Sequence, residues 1–472
     1  MPRLPDIILL CLDSARPDRF SCYGYPRKTT PNMDRLARES LLFTQAISPA
    51  AWTIPSHASL FTGLYPCHHG AVDDRLSSDS GPTLAEALSE AGYATIAVSP
   101  NPWLSRKGGL LRGFERVLEM SPFGGKRSLR RGLRRKTAEL ATVLGLKAQW
   151  LYCEAKQVSA AAIRAIREVE QPCFLYVNFM DTHAPYLPPL RWAASSLSVP
   201  DAAVARWRIY RIIREGAYDV VNQEHPDLLP KVSRLYDSRL AAFDADVASF
   251  LDWLLARERA RPSVLILFSD HGEGLGEHGL MNHLGSLYDE MLRIVLMIRW
   301  SGELPAGAQV AAQVQLTDIM PSLLRVLGLK APHLAAPLYQ DRPNPFAPDS
   351  LGSREWPAYA EYTMPSIVER WKQDGKRYHY ARLEPSLRAV RSHGHKYVVG
   401  SDGSRELYDI AADPAEQHNL LQLAQTPATA DTLRQMEAAL ALLPVDGARP
   451  EGPSPTGVDP EIAEQLQGLG YL

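Results

Sequence analysis

The sequence predicts an α/β fold: a mostly parallel sheet flanked by helices, followed by a small antiparallel sheet near the C-terminus. Three observations predict it. Apolar runs recur at residues 7–12, 94–99, 173–179, 264–268 and 294–298, and helical patterns such as 83–91 and 240–257 lie between them. Runs that are apolar at every position belong to strands buried on both faces, and helices between them imply parallel crossovers. Asp13, Asp181 and Asp270 each stand just after such a run. In open α/β sheets, ligands gather at those carboxyl ends of the strands.

Along the chain, run 7–12 follows Arg3 but is short and ends in Asp13, so it reads as a first core strand and not as a signal peptide. Thr53 then leads through a turn into an apolar helical run that ends at Gly63. After strand 94–99 comes the strongest charge feature, the basic run 126–136, from Lys126 to Lys136. With Leu129, Leu133 and Leu140 at helical spacing it offers a face to anionic lipid or a polyanionic substrate, and is equally readable as a solvated helix face. Residues 187–231, with Trp192, Trp207, Tyr210 and several arginines, read as a helical cover beside His183. Segment 331–356 is dense in Pro, Asp and Ser and reads as a surface connection. Beyond it, 377–383, 387–392, 396–399 and 406–410 alternate apolar and polar residues around Gly-containing turns, which predicts the small antiparallel sheet. The organisation expected is a catalytic α/β domain over 1–335, a Pro-rich connection over 336–365, a small α+β subdomain over 366–425 and a tail over 426–472.

Composition is compatible with this plan. The 472 residues are 45% hydrophobic and 8% aromatic, enough for a large core and too apolar for a disordered chain. Fifty-one basic side chains nearly balance 53 acidic ones, so no global charge draws the protein to nucleic acid, and none is expected as a partner. Cys11, Cys22, Cys67, Cys153 and Cys173 are odd in number and lack paired C-x-x-C spacing, which argues against a disulfide framework or structural zinc. No segment approaches the roughly 20 apolar residues of a membrane helix. The expected location is the cytoplasm.

The motifs that carry chemistry are Ile7-Ile-Leu-Leu-Cys-Leu-Asp13, Thr53-Ile-Pro-Ser-His-Ala-Ser-Leu-Phe-Thr-Gly63 and Ser269-Asp-His-Gly-Glu273. Two strand ends and a helix start brought to one cation would activate a hydroxyl nucleophile. This set resembles the sulfatase branch of the alkaline phosphatase superfamily. Its signature has a Cys or Ser, a Pro two residues on, an Arg, and a Leu-x-Thr-Gly ending. Thr53 stands in the place of the Cys or Ser, and His57 in the place of the Arg. The resemblance extends in family order through Asn32-Met-Asp-Arg-Leu36, Asp181-Thr-His-Ala-Pro-Tyr186, Gln315-Leu-Thr-Asp318 and Glu406-Leu-Tyr-Asp409. It implies an alkaline-phosphatase-like fold and metal-dependent ester hydrolysis or transfer.

Position 53 decides the chemistry. Sulfatases of the formylglycine type oxidise the Cys or Ser to an aldehyde, which a threonine cannot form because its Cβ carries a methyl group. Phosphorus chemistry through a phosphothreonine follows as the leading reading. Alternatives are sulfate ester hydrolysis by the unmodified threonine and a catalytically silent binding protein. The resemblance implies one divalent metal ion held by Asp13, Thr53, Asp270 and His271, with zinc or manganese ahead of calcium. Asp13 is followed by Ser14 where relatives carry a second acid, and Asp270-His271 replaces the more usual Asp-Asn pair. His57, His183 and His283 are expected to face the nucleophile or the transferred group. Asn101 falls where a family Gly-Lys-x-His element is missing, and Asp73 and Asp74 are nearby polar residues of unassigned role. A small-molecule, lipid or glycan ester is the expected substrate.

Overall fold

The computed structural model describes residues 4–73, 75–121, 141, 145, 153–214, 224–258, 261–352, 355–424 and 426–444. The basic run 126–136, Asp74 and the tail beyond 444 lie outside them.

The central sheet has eight strands, in the order Gln309–Val310, Leu41–Phe43, Leu296–Trp300, Ser263–Phe268, Asp6–Leu12, Cys173–Phe179, Ala94–Ser99 and Arg116–Glu119. The strand Asp6–Leu12 lies between Ser263–Phe268 and Cys173–Phe179, parallel to both. Its alternate residues feed two separate cores. Ile7, Leu9 and Cys11 pack on one face, and Ile8, Leu10 and Leu12 on the other. Each fully buried aliphatic side chain here contributes about 1.5–3 kcal/mol, and layers on both faces explain why the run shows no polar alternation.

Helix ends follow local rules. The predicted helix 83–91 appears as Leu84–Glu90, started by a reciprocal cap in which the Glu86 amide donates to Thr83 Oγ1 and the Thr83 amide to Glu86 Oε2. The predicted helix 240–257 is longer, Leu229–Glu258. Its first half hides from the apolar pattern because Asp237 and Arg239 are buried as ion pairs, with Arg19 and Arg27 and with Asp181 respectively.

Two strand predictions need correction. Run 294–298 is split: Arg293–Ile294 joins a small sheet with Ala46–Ile47, while Leu296–Trp300 runs antiparallel to Ser263–Phe268. Side chains take the backbone at the break, since the Val295 amide donates to Ser269 Oγ and the Leu296 amide to Tyr23 Oη, both at 2.9 Å. In the C-terminal sheet the strands are Ala358–Tyr362, Leu387–Ser392, His395–Gly400 and Arg405–Asp409. Segment 377–383 is not among them. Tyr378 stacks on Trp371 at 4.4 Å and the chain closes into the helical turn Tyr380–Leu383, so aromatic residues with strand propensity pack on a helix instead. The strand that takes the edge, Ala358–Tyr362, lies within 336–365, where only a connection is expected.

Candidate active site

Three adjacent parallel strands deliver their ends to one place. Asp13 follows Asp6–Leu12, Asp270 and His271 follow Ser263–Phe268, and the loop carrying His183 follows Cys173–Phe179. Ser14 turns the chain with φ 60°, which lets its amide reach Asp270 Oδ1 at 3.2 Å and its hydroxyl reach Asp13 Oδ1 at 3.2 Å. Thr53 is the first residue of the helix Thr53–Thr62. Trp52 before it is extended and supplies no side-chain cap. Pro55 sits in the first turn, where a missing N–H costs nothing, and Gly63 at φ 72° ends the helix. Ser56 Oγ donates to the Asp270 carbonyl at 2.6 Å and fastens this helix to the strand end.

Asp13, Thr53, Asp270 and His271 meet with at most 2% of any of them exposed. His271 Nε2 lies 3.4 Å from Thr53 Oγ1, 3.4 Å from Asp270 Oδ2 and 3.9 Å from Asp13 Oδ1. Its Nδ1 sits 2.8 Å from the Gly272 carbonyl, which can only accept, so the proton is on Nδ1 and the Nε2 lone pair faces these oxygens. The carboxylates are anchored from behind. Asp13 Oδ2 accepts from Asn101 Nδ2 at 2.8 Å, and Asp270 Oδ1 accepts from the Ser14 and His271 amides. Asp270 Oδ2 is buried without a hydrogen-bond partner. Burial, and then the charge of Asp13, push the Asp270 carboxyl well above the usual range; burial, and then His283, hold His271 well below its own. An orphaned carboxylate oxygen, a second acid and an aimed imidazole lone pair are mutually repulsive when empty and fit a divalent cation.

Cys11, His57 and Asp270 also approach one another closely enough to hold an ion. The hydrogen bonding argues against it. His57 Nδ1 faces the Thr53 carbonyl at 2.8 Å and must therefore carry a proton, and burial keeps Cys11 a thiol by raising its pKa well above the ordinary value. His57 Nε2 meets Tyr176 Oη at 2.7 Å, and burial lowers the His57 pKa to about 4. Both ring nitrogens are spent within the protein. Of the two contacts expected for His57, with Thr53 or with the transferred group, the structure has the first: His57 holds the Thr53 backbone.

On the other side of His271, the ring centroid of His283 lies 4.4 Å away, and that of His183 a further 5.2 Å from His283. His183 Nδ1 donates to the Ala184 carbonyl at 2.7 Å and His283 Nδ1 to Glu273 Oε1 at 3.1 Å, so both rings are held by their Nδ1 side. Asp181 turns away. It pairs with Arg239, whose Nε also donates to the Asp181 carbonyl at 3.0 Å, although burial raises its carboxyl to about 6. Asp73 accepts from the Ser366 amide and hydroxyl and takes no part in this cluster.

Sequence reading missed Glu273 and Tyr176 as partners of these histidines. Glu273 is visible in Ser269-Asp-His-Gly-Glu273, two residues after His271, but only the loop return through Met281–Asn282 brings His283 onto it. Tyr176 carries no sequence signal, being one aromatic in an apolar strand.

A family model described as Sulfatase matches residues 5–329. The chain is similar to a sulfatase of Formosa agariphila, 24% identical over 98% of this chain and 90% of that protein. It is also similar to an N-acetylgalactosamine-6-O-sulfatase of Bacteroides thetaiotaomicron, 24% identical over 88% and 89%. The solved phosphonate monoester hydrolase of Agrobacterium radiobacter superposes with a TM-score of 0.69 at 20% identity, covering 93% of this chain and 96% of that one.

Proposed function

The chain belongs to the sulfatase family and is an ester hydrolase; from that premise we propose that it cleaves or transfers a phosphoester or phosphonate ester through a phosphothreonine on Thr53. The observation that carries this reading is the threonine itself. A hydroxyl that cannot become an aldehyde stands at the helix start, 3.4 Å from the His271 lone pair. The likeness to a phosphonate monoester hydrolase supports the phosphorus reading, while the relatives named as sulfatases keep sulfate esters as the second reading.

Asp13, Asp270, His271 and Thr53 would hold one divalent cation. When bound, it supplies charge neutralisation of the two acids and lowers the pKa of the Thr53 hydroxyl. A donor set with an imidazole and only two carboxylates would suit zinc or manganese better than calcium, which prefers more oxygen ligands.

In the step proposed, Thr53 Oγ, having released its proton to water, forms the bond to phosphorus as the leaving alcohol's oxygen departs. The leaving oxygen takes a proton from His183 or His283, whose rings are oriented by Ala184 and Glu273. Water or an acceptor hydroxyl then takes the phosphoryl group and returns Thr53. His57 holds the Thr53 backbone so that the attack stays in line.

The test is metal content and turnover of purified protein beside Thr53→Ala, on aryl phosphate mono- and diesters, an aryl phosphonate monoester and an aryl sulfate. Metal-dependent phosphoester or phosphonate cleavage that disappears in the variant is the expected result. Cleavage of the aryl sulfate alone would transfer the assignment to the second reading.

A further inference from the structure

We propose that the outer face of the helix Val199–Arg214 is a docking surface for an anionic phospholipid bilayer. Six large apolar residues stand exposed among the described residues, and three of them lie on this one helix: Val199 at 56%, Val204 at 50% and Trp207 at 46%. The inner face is apolar as well, since Ala202, Ala205, Ile209 and Ile212 are buried against Tyr186, Leu187 and Met281. A helix apolar on both faces belongs where both faces are covered, and a solvated outer face would instead be polar.

Charge identifies the cover. On its outward side the helix carries Arg208 and an exposed Arg211, while Arg206 is buried against the Pro188 carbonyl; its one acid is Asp201. Asp201 is paired with Lys231, and Asp227 beside it with Arg208. The Arg211 guanidinium lies 5.0 Å from the centre of the Trp207 ring. A tryptophan with an arginine over it, flanked by valines, sets an apolar body and a cationic head at the same level, as the boundary between acyl chains and phosphate headgroups requires. A second copy of the chain fits less well. A stable protein interface takes about 800 Å² from each partner, and this stripe is one convex helix face.

The position adds a consequence. The same buried cluster contains Tyr186, three residues after His183, and Met281, two before His283. A bilayer on this helix therefore lies beside the loops that carry both histidines. Docking itself does not depend on the reaction assigned to the site, so the test reads binding alone.

Full-length protein is floated with vesicles of phosphatidylcholine and with vesicles of equal phosphatidylcholine and phosphatidylglycerol. It is expected to float with the mixed vesicles and much less with phosphatidylcholine alone. The double substitution Val204→Ser with Trp207→Ser is expected to lower the partition coefficient about tenfold. Arg211→Ser should lower it about fivefold on the anionic vesicles and leave phosphatidylcholine unchanged. Leu442→Ser, 64% exposed in the turn after the helix Pro427–Leu440, should change neither. Absence of flotation with either vesicle, or undiminished flotation of the double variant, would overturn the proposal. So would concentration-dependent self-association that the double variant abolishes, because the face would then belong to a second copy.

Discussion

At Thr53 a methyl group on Cβ excludes the aldehyde that a Cys or Ser could form, and His57 and His271 lie against this residue. Thr53→Ala is expected to reduce phosphoester turnover by roughly a thousandfold or more, while Thr53→Ser, which keeps the hydroxyl, retains part of it; steady-state kinetics on an aryl phosphonate ester separates the two. His57 makes a subtler prediction. His57→Asn keeps a donor near the Nδ1 position and His57→Ala does not, so the alanine variant should lose more kcat at similar KM. Another buried histidine links residue to pH. His69 accepts from the Ala71 amide at Nδ1 and meets Ser59 Oγ at Nε2, and burial lowers its pKa from 6.5 to about 3. The unfolded chain therefore binds a proton that the folded one refuses as pH falls from about 6.5 toward 3. Stability contributed by neutral His69 is full above that window and is lost through it, by a few kcal/mol at most. Denaturant midpoints measured across this range should fall with pH, and His69→Gln should flatten the slope.

At the scale of elements, the loop 271–292 has least room to change. A Cβ on Gly272 would stand 2.0 Å from the Glu290 carbonyl oxygen, and the Gly272 amide already donates to the Met291 carbonyl at 2.7 Å. Gly272→Ala must push the loop outward, and with it His271 and Glu273. The expected outcome is a loss of about 1–3 kcal/mol in stability together with weaker divalent-metal binding in equilibrium dialysis. The strands Asp6–Leu12, Ala94–Ser99, Cys173–Phe179 and Ser263–Phe268 were legible because each is a compact apolar run. Elements that failed to announce themselves did so for identifiable reasons. The long helix Leu229–Glu258 begins with charged residues that are satisfied only by distant partners, and segment 377–383 has strand-like aromatics that pack on Trp371 instead. Propensity is a local quantity, and tertiary partners override it.

At the scale of the molecule, the small sheet is pinned to the body by a buried charge cluster. Lys396 on the strand His395–Gly400 lies 3.0 Å from Asp289 and 2.8 Å from Glu416, with none of its surface exposed, and the Asp289 amide donates to Glu416 at 2.6 Å. Lys396→Met would leave two buried acids facing each other. A cost of about 3–5 kcal/mol is expected, read as a lower thermal midpoint and faster amide exchange in Leu387–Ser392 and Arg405–Asp409. What the sequence determined by itself is the four parallel core strands Asp6–Leu12, Ala94–Ser99, Cys173–Phe179 and Ser263–Phe268, the order of motifs and the presence of Asp13, Thr53, Asp270 and His271 at element ends, because strand burial and helix starts are written in short local patterns. Only the tertiary structure decided that His57 faces Tyr176 and the Thr53 backbone, that Asp181 serves Arg239, that Glu273 orients His283, and that one helix of the cover is apolar on both sides. Each of these depends on which groups meet across tens to hundreds of residues, and a one-dimensional pattern holds no record of the direction in which a side chain points.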